Sequence, residues 1–233
     1  MKTHLFALGL LGILCSTAFS QSLAEKDLYE KLAAGPESVQ ALETVLKKPD
    51  EYSAAVLYTG AGAAFREKRL EDSAFLFYTA QLRAHFDQIC FPPKGKGGNS
   101  PLVAYAALAQ PLGRAINPAV MAQPKIFEKA LARVKKWTPK APKEYEPGYE
   151  FTERKSEQDA HEAARPNRVE FMQRMSGLST LLSDAEYYAA FRTIQAYNSS
   201  SDDKRPTQEA KDQATETMKR IEKDKGIKGF FGK

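Results

Sequence analysis

The sequence predicts an all-α protein made of stacked antiparallel helical hairpins, with no substantial sheet. Apolar residues recur three or four positions apart along most of the chain, which is the spacing of one face of a helix. Proline and glycine divide these stretches into lengths that suit short helices. The alternation of apolar and polar residues that is typical of a half-buried strand is not sustained anywhere. An irregular helical bundle would show the same pattern and remains an alternative arrangement.

Residues 1–20 have the three parts of a secretory signal peptide. Lys2 supplies a positive charge, residues 5–14 form an uncharged apolar run, and small residues precede Gln21. This run is too short to span a bilayer, which takes about 20 helical residues. We therefore expect cleavage between Ser20 and Gln21 and export to a periplasm or to the cell exterior. A buried N-terminal helix is the alternative interpretation.

Composition indicates a globular protein with an ordinary charged surface. Charged residues make up 27% of the chain, and the formal net charge is +5. Acids and bases are mixed along the sequence, which argues against nucleic-acid binding. Cys15 would need a small preceding residue for lipid attachment, and Leu14 is large. After cleavage Cys90 is the remaining cysteine, so we expect no internal disulfide and a Cys90 side chain that packs as a small hydrophobe.

Helices are predicted over residues 26–34, over a second segment that ends at Pro49, and twice within residues 53–90. The second segment has an apolar face formed by Val39, Leu42, Val45 and Leu46. Within residues 53–90 a polar break at 66–69 separates the two helices. The many alanines and aromatic residues of this region predict burial on more than one side.

Prolines organise the middle of the chain. Residues 91–100 contain two prolines and three glycines and predict a loop. A helix should begin at Pro101 and kink or break at Pro111, because proline lacks the N–H that a helix interior uses. Short helices restart at Pro118 and Pro124. The last of these carries an apolar stripe formed by Ile126 or Phe127, Leu131, Val134 and Trp137.

A proline-rich connector is predicted over residues 138–152. Its aromatic residues are too many for a free spacer, so it should lie against the domain. A polar helix over residues 153–165 should end at Pro166, and an apolar helix face follows up to Leu182. Ser183 and Glu186 stand three positions apart and predict a capping box for the next helix.

A charged helix is predicted over residues 207–225, and residues 226–233 are expected to form a flexible tail. The domain prediction is a single helical domain over residues 21–225. It contains a hairpin core at about 26–137, the connector at 138–152 and C-terminal helices at 153–225.

Residues 55–88 resemble a single tetratricopeptide repeat, a helix–turn–helix unit of about 34 residues. The positions that carry the resemblance are Tyr58, Gly62, Phe65, Ala74 and Tyr78. In such a unit the small residues let the two helices pack closely. Ala61, Arg69, Gln81 and Phe86 depart from the usual pattern. The resemblance implies a concave helical surface that binds a peptide or protein.

The sequence shows no catalytic, cofactor-binding or metal-binding motif, and we expect none of these sites. Asp159, His161 and Glu162 do not share one helix face, as three ligands of one metal ion would. His85 and Cys90 lie five positions apart on different faces, which does not favour a nucleophile–base pair.

Partner-binding candidates come from two basic regions and the connector. The loop before Pro101 combines rigid prolines with mobile glycines, and residues 125–143 concentrate lysine and arginine around a tryptophan. The candidate residues are Lys94, Lys96, Asn99, Arg133, Lys136, Trp137, Tyr145 and Tyr149.

The leading functional hypothesis is therefore an exported, non-enzymatic helical protein that binds another protein. An envelope hydrolase that acts on a glycan or peptide polymer is the alternative. A weaker alternative is contact with an anionic surface through residues 125–143. Nucleic-acid binding is not expected, and no segment after the cleavage site has the length of apolar sequence that a transmembrane helix needs.

Overall fold

The structure is a computed structural model that describes residues 23–33, 37–94, 100–201 and 204–230. The predicted signal peptide lies outside these residues. The described residues form nine α-helices and no sheet, which confirms the all-α prediction. The helices are α1 (Leu23–Ala33), α2 (Ser38–Lys47), α3 (Ala54–Arg66), α4 (Leu70–Cys90), α5 (Pro101–Met121), α6 (Pro124–Lys136), α7 (Glu157–Leu182), α8 (Ala185–Ser199) and α9 (Gln208–Lys225).

Among the described helices, none is both long enough and apolar enough to cross a membrane. The chain divides into two compact units, and the boundaries fall inside α5, before the last residue of α6 and inside α7. Of the described residues, the first unit comprises those up to Ile116 and Lys136–Arg165, and the second comprises Asn117–Lys135 and those from Pro166 onward. The sequence-based expectation of one domain over residues 21–225 stays a prediction.

The centre of the first unit is the hairpin of α3 and α4, which confirms the two helices predicted within residues 53–90. Lys68 makes the turn with a left-handed φ of 59°. This conformation more often selects glycine. The Ser73 hydroxyl donates a hydrogen bond of 2.9 Å to the Ala61 carbonyl across the hairpin. A Cβ on Gly60 would lie 3.2 Å from Leu76 Cδ1, so the close approach of the two helices is at residues 60 and 61.

This geometry corrects the predicted role of Gly62. A Cβ at that position would meet Leu112 of α5 at 3.2 Å rather than any atom of α4. Gly62 is therefore on the opposite face of α3. Two glycines two positions apart face different neighbours because each helical residue is rotated by about 100° from the one before.

The prediction of burial on more than one side is confirmed for α4. Every residue from Ser73 to Ala80 is buried, so both sides of the helix are covered. Helices α1 and α2 pack on α3 and on each other. One predicted position of the α2 apolar face is wrong, because Val39 is 45% exposed whereas Leu42 and Val45 are buried.

The connector lies against the first unit, as predicted. The Lys140 N–H donates to the Asp50 carbonyl at 3.2 Å, and the Lys94 N–H donates to the Glu150 carbonyl at 3.1 Å. Pro93 and Phe151 form an isolated antiparallel bridge, so the loop predicted at 91–100 has an extended, paired beginning. Lys96 and Asn99 of that loop lie outside the described residues.

Three prolines do not end helices where the sequence predicts. Helix α5 continues through Pro111 and Pro118, and α7 continues through Pro166 and begins at residue 157 rather than 153. All three prolines are exposed. A proline inside a helix leaves the carbonyl four residues earlier without its usual donor, and on an exposed face water can hydrate that carbonyl. Packing on the buried face then keeps the helix continuous.

The second unit contains the pair of helices α8 and α9. The predicted capping box is not formed, because Asp184 and not Ser183 is the N-cap of α8 and accepts from the N–H groups of Glu186 and Tyr187, each at 3.1 Å. Ser183 instead donates to the Ser179 carbonyl of α7 at 2.9 Å. A carboxylate at the N-cap also interacts favourably with the helix dipole, which a serine does not.

Residues 226–230 of the predicted flexible tail are held against the second unit. Gly226 ends α9 in the left-handed conformation, with φ of 62°. Glycine adopts this conformation readily and commonly ends helices in this way. The Phe230 N–H donates to Glu222 Oε1 at 3.0 Å, and its ring stacks on Phe191 at a centroid distance of 5.5 Å. The flexible tail over residues 226–233 stays a prediction, although Phe230 packs on Phe191, and residues 231–233 lie outside the described part.

Candidate functional site

A shallow groove in the first unit is lined by α1, α3 and α5. These are every second helix along this part of the chain. The volume of the groove is about 120 Å³. The lining side chains are mostly apolar: Tyr29, Ala33, Tyr58, Thr59, Gly62, Phe65, Arg66, Leu108, Pro111, Leu112 and Ala115.

The floor of the groove is the surface of α3. Gly62 has no side chain, so α5 comes close here, and a Cβ at this position would make a tight contact of 3.2 Å with Leu112 Cδ2. The Thr59 hydroxyl donates to the Ala55 carbonyl of its own helix at 2.9 Å. This bond satisfies the polar atom of Thr59 within α3 and so makes the floor less polar.

A cluster of aromatic rings supports the groove from behind. The Tyr58 ring meets the Phe77 ring edge to face at a centroid distance of 5.9 Å and lies 6.5 Å from the Tyr105 ring. Burial raises the pKa of Tyr58 above its ordinary value, so its phenol stays neutral. Packing of this kind holds the rings in fixed rotamers.

Arg66 provides the charge at the edge of the groove. Its Nη2 donates to the Leu32 carbonyl in the last turn of α1 at 2.5 Å. A cation at a helix C-terminus satisfies a carbonyl that has no partner within the helix. Burial lowers the pKa of Arg66, but the side chain keeps an exposed part. Arg66 therefore joins α1 to α3 and presents a guanidinium at the rim.

Behind the hairpin is a buried charged network. Arg83 and Asp87 are fully buried, and Arg83 Nε lies 2.9 Å from Asp87 Oδ1. The Tyr145 hydroxyl donates to Asp87 Oδ2 at 2.7 Å and accepts from Arg83 Nε at 3.0 Å. Arg83 Nη1 donates to the carbonyls of Asp50 and Lys140, at 3.1 and 2.6 Å. One arginine thus fastens α4 to the α2–α3 turn and to the connector.

The electrostatics of this network are those of a charged pair in a dry interior. Burial acts to lower the pKa of the Arg83 guanidinium, but Asp87 and Tyr145 outweigh that effect and raise it. Asp87 faces Arg83 with one oxygen and Tyr145 with the other, and it has no exposed surface, so a substrate cannot reach it. Asp87 therefore lends no support to the hydrolase hypothesis.

Three of the partner-binding candidates are buried, and that prediction is corrected for them. Trp137, Tyr145 and Tyr149 are each less than a tenth exposed. The Tyr145 hydroxyl is used by the Arg83 network, and the Tyr149 hydroxyl donates to the Phe91 carbonyl at 3.1 Å. Aromatic rings with one polar atom are well suited to anchor a connector on a core, because the ring is buried while the hydroxyl finds a partner.

The remaining candidates have separate positions. Lys94 is exposed and lies 3.8 Å from the Glu150 carboxylate. Arg133 is half-buried and Lys136 is exposed, and both belong to α6. Among the described candidates, Lys94, Arg133 and Lys136 therefore keep exposed surface, whereas Trp137, Tyr145 and Tyr149 belong to the interior.

The predicted hairpin-packing residues have mixed roles. Ala74 and Tyr78 are buried in α4, and Tyr58 is buried in α3. Phe65 is half-buried and lines the groove together with Gly62. Gly62 and Phe65, which the sequence associates with hairpin packing, thus line the groove on the other face of α3.

Histidine and cysteine have structural positions. The His161 ring lies tilted against the Phe86 ring at a centroid distance of 4.7 Å, and Cys90 is fully buried. Burial raises the pKa of the Cys90 thiol, which disfavours the reactive thiolate. Within the described part of the chain, no three side chains of histidine, cysteine, aspartate or glutamate are placed to hold one metal ion.

Sequence reasoning missed the groove residues Tyr29, Arg66, Leu112 and Ala115. The spacing of Leu108, Leu112 and Ala115 is helical and was available in the sequence. What the sequence does not show is that this face of α5 lies beside α3, which is a tertiary pairing.

No protein-family model matches the chain. No curated protein and no solved structure matches it either.

Proposed function

We propose that this protein is an exported helical adaptor that binds another protein, and that it holds an apolar segment of that partner in the groove formed by α1, α3 and α5. The observation that carries the proposal is the apolar lining of this groove, with one arginine at its edge. Protein interfaces concentrate much of their binding energy in a few side chains, often aromatic ones, that fill well-packed pockets.

The size of the groove favours a protein partner over a small molecule. Small-molecule sites usually have volumes of about 300–1,000 Å³. The groove has about 120 Å³, which accommodates one or two side chains. A segment of a partner that inserts an anchoring side chain and continues over the flanking helices fits this shape.

The tetratricopeptide-like interpretation supports the same function. Helices α1, α3 and α5 each alternate with another helix along the chain, and it is their faces that line the groove. In stacked helical repeats the binding surface is built from successive units in this way. We therefore propose that residues 55–88 act as the central hairpin of a short helical stack.

Export is part of the proposal and rests on the sequence. The charged start, the apolar run and the small residues before Gln21 are the features that a signal peptidase recognises. The partner would then be an envelope or extracellular protein. N-terminal sequencing of the protein recovered from a secreting host tests this, and a mature chain that begins at Met1 would contradict it.

The groove is tested with a displayed library of random peptides selected on the purified protein. We expect enriched peptides that share an apolar anchor residue. Ala115→Trp should reduce their binding by about tenfold or more, because the new ring occupies the groove. Ala106→Trp is the matched control, since this exposed alanine is on the same helix but does not line the groove. Equal binding by both variants would overturn the proposal.

A second candidate function is contact with an anionic surface through α6. The buried face of this helix contains Phe127, Ala130, Leu131 and Val134. Lys125, Lys129 and Lys136 are exposed on the opposite face. At about 100° per helical residue, the three lie within about 40° of one another around the helix. None of them forms an ion pair within the described residues, whereas Lys48, Lys140 and Lys219 do.

Vesicle sedimentation tests this candidate. The protein should bind vesicles that contain anionic lipid, binding should weaken with added salt, and Lys125→Glu with Lys129→Glu should abolish it. Lys47→Glu with Lys223→Glu, which changes two exposed lysines of other helices, is the control with the same change in net charge. Binding that depends neither on salt concentration nor on lipid charge would contradict this second function.

A further inference from the structure

The second unit contains a cavity that the proposed groove does not involve. Its volume is about 490 Å³, against about 120 Å³ for the groove. Small-molecule sites usually have volumes of about 300–1,000 Å³, and this cavity falls within that range. The end of α5, the second half of α8, α9 and the C-terminal segment form its walls. The lining residues are Asn117, Pro118, Met121, Phe191, Ile194, Gln195, Asn198, Ser199, Met218 and Phe230.

The chemistry of the lining is uncharged throughout. Two thioethers and two phenyl rings give the walls soft, polarisable surfaces that adapt to an apolar molecule. The polar groups of α8 gather towards its C-terminal end. Gln195 Nε2 donates to the Pro118 carbonyl at 2.8 Å and so holds α8 to the end of α5, while Asn198 is exposed.

The wall formed by Phe230 is built by the fold and is not a chance contact. A Cβ on Gly229 would collide with the Glu222 carboxylate and would lie 2.7 Å from the Tyr187 hydroxyl. A Cβ on Gly177 would lie 2.8 Å from Ile227 Cγ2. Each of these glycines makes room for the segment that follows α9. The fold therefore places an aromatic ring on the cavity although that ring is 44% exposed.

Glu222 is the anchor of this segment. It is buried, and its Oε1 accepts from the Tyr187 hydroxyl at 2.8 Å and from the Phe230 N–H at 3.0 Å. A buried carboxylate that accepts two hydrogen bonds holds the segment in one position. The ring of Phe230 then lies parallel to that of Phe191, with 11° between the planes.

We propose that this cavity binds a small neutral amphipathic molecule, whose apolar body lies between Met121, Ile194 and Met218 and whose hydrogen-bonding end lies at the Asn198 rim. The uncharged lining selects a neutral ligand, because an ion would lose hydration without gaining a counter-charge. The volume matches a ligand of roughly drug size and not a single anchoring side chain. This site is independent of the protein-binding groove.

The test uses the full chain and the neutral fluorescent probe N-phenyl-1-naphthylamine. We expect saturable fluorescence enhancement that decan-1-ol reverses and decanoate does not. Ile194→Trp should weaken probe binding by about tenfold or more, because the larger side chain fills the cavity. Val169→Trp is the control, since Val169 is an exposed apolar residue of the same unit that does not line the cavity.

Phe230→Ala provides a second variant that leaves the helices intact, because this ring is half-exposed and follows the last helix. It should weaken probe binding while the helical circular dichroism stays unchanged. Several results would overturn the proposal. They are no saturable enhancement, equal displacement by decanoate, equal binding by Ile194→Trp and Val169→Trp, or enhancement that disappears as protein concentration rises, which would indicate that a second copy covers the cavity.

Discussion

At the scale of single residues, the pair of Arg83 and Asp87 is a buried ion pair whose loss on one side should strongly affect stability. Both side chains are fully buried, and each depends on the other for compensation of its charge. A buried ion pair need not be more stable than an apolar pair of the same shape, but a single buried charge is strongly unfavourable. The pair therefore specifies how the hairpin and the connector fit together.

We predict that Arg83→Met lowers the free energy of unfolding by about 3–5 kcal/mol, because it leaves the Asp87 carboxylate buried without its counter-charge. The double variant Arg83→Met/Asp87→Leu should recover much of this loss. Urea denaturation followed by circular dichroism measures both. A double variant less stable than the single one would contradict this account of the pair.

Glu25 is a second residue whose burial changes its pKa and therefore the pH dependence of stability. Burial raises its pKa above the ordinary value of 4.5, although the Ser53 N–H, which donates to it at 3.0 Å, acts in the lowering direction. The folded protein therefore holds this proton more tightly than the unfolded chain does. The contribution of Glu25 to stability falls as the pH rises from the ordinary value through the raised pKa, since at this site the unfolded state binds fewer protons there.

Glu25→Gln should therefore raise the free energy of unfolding at neutral pH, and its advantage over the unchanged protein should grow as the pH rises from about 4 to 7. The amide oxygen can still accept from the Ser53 N–H. Urea denaturation at several pH values between about 4 and 7 tests this. Glu30→Gln, which removes an exposed carboxylate from the same helix, is the matched control. An unchanged pH profile for Glu25→Gln would show that this carboxyl titrates alike in both states.

At the scale of the helices, caps and interruptions follow local chemistry only in part. Thr207 caps α9 through its hydroxyl, which accepts from the Ala210 N–H at 3.1 Å. At the start of α8, by contrast, two adjacent residues have side chains that could serve as the N-cap. Asp184 is the N-cap, and the Ser183 hydroxyl donates to the Ser179 carbonyl in the last turn of α7.

Replacement of these two residues separates their roles. Asp184→Ala should lower the thermal midpoint, because the N–H groups of Glu186 and Tyr187 lose their acceptor. Ser183→Ala should change the thermal midpoint much less. The Ser183 N–H already donates to the Ser179 carbonyl that accepts from the hydroxyl, so this carbonyl keeps a donor. Thermal melting by circular dichroism measures both, and the reverse order of effects would restore the capping box predicted from Ser183 and Glu186.

The prolines show a related difference between local rules and the folded helices. Local rules predict interruptions at Pro111, Pro118 and Pro166, and the structure has continuous helix at all three. The rule describes the local cost of a missing hydrogen bond, about 3 kcal/mol, whereas the continuity of a helix also depends on what its other face buries. That second contribution is not visible in a short window of sequence.

At the scale of the whole molecule, Cys90 lies in the interior of the first unit. The thiol is fully buried, and its Sγ lies 3.5 Å from the Lys155 carbonyl. Burial raises its pKa, so the side chain is both inaccessible and protonated. Its reactivity therefore reports on opening of the fold.

We predict that a thiol reagent modifies Cys90 only when the protein unfolds. The rate should rise steeply with urea and follow the unfolding transition, because labelling then depends on the open population. Peptide mapping after the reaction distinguishes Cys90 from Cys15. Stoichiometric labelling of Cys90 in the native protein at the rate of a free thiol would contradict its burial.

The sequence by itself determined the helical class, the two helices within residues 53–90, the charged helix before the tail and the docking of the connector. These features follow from periodicity, from composition and from aromatic content, which are local properties. Only the tertiary structure decided that Gly62 faces α5, that Tyr145 completes a buried ion pair and that Phe230 forms a wall of a cavity. The physical reason is that each of these depends on which surface lies opposite, and the energy of packing two surfaces is shared between residues far apart in the chain.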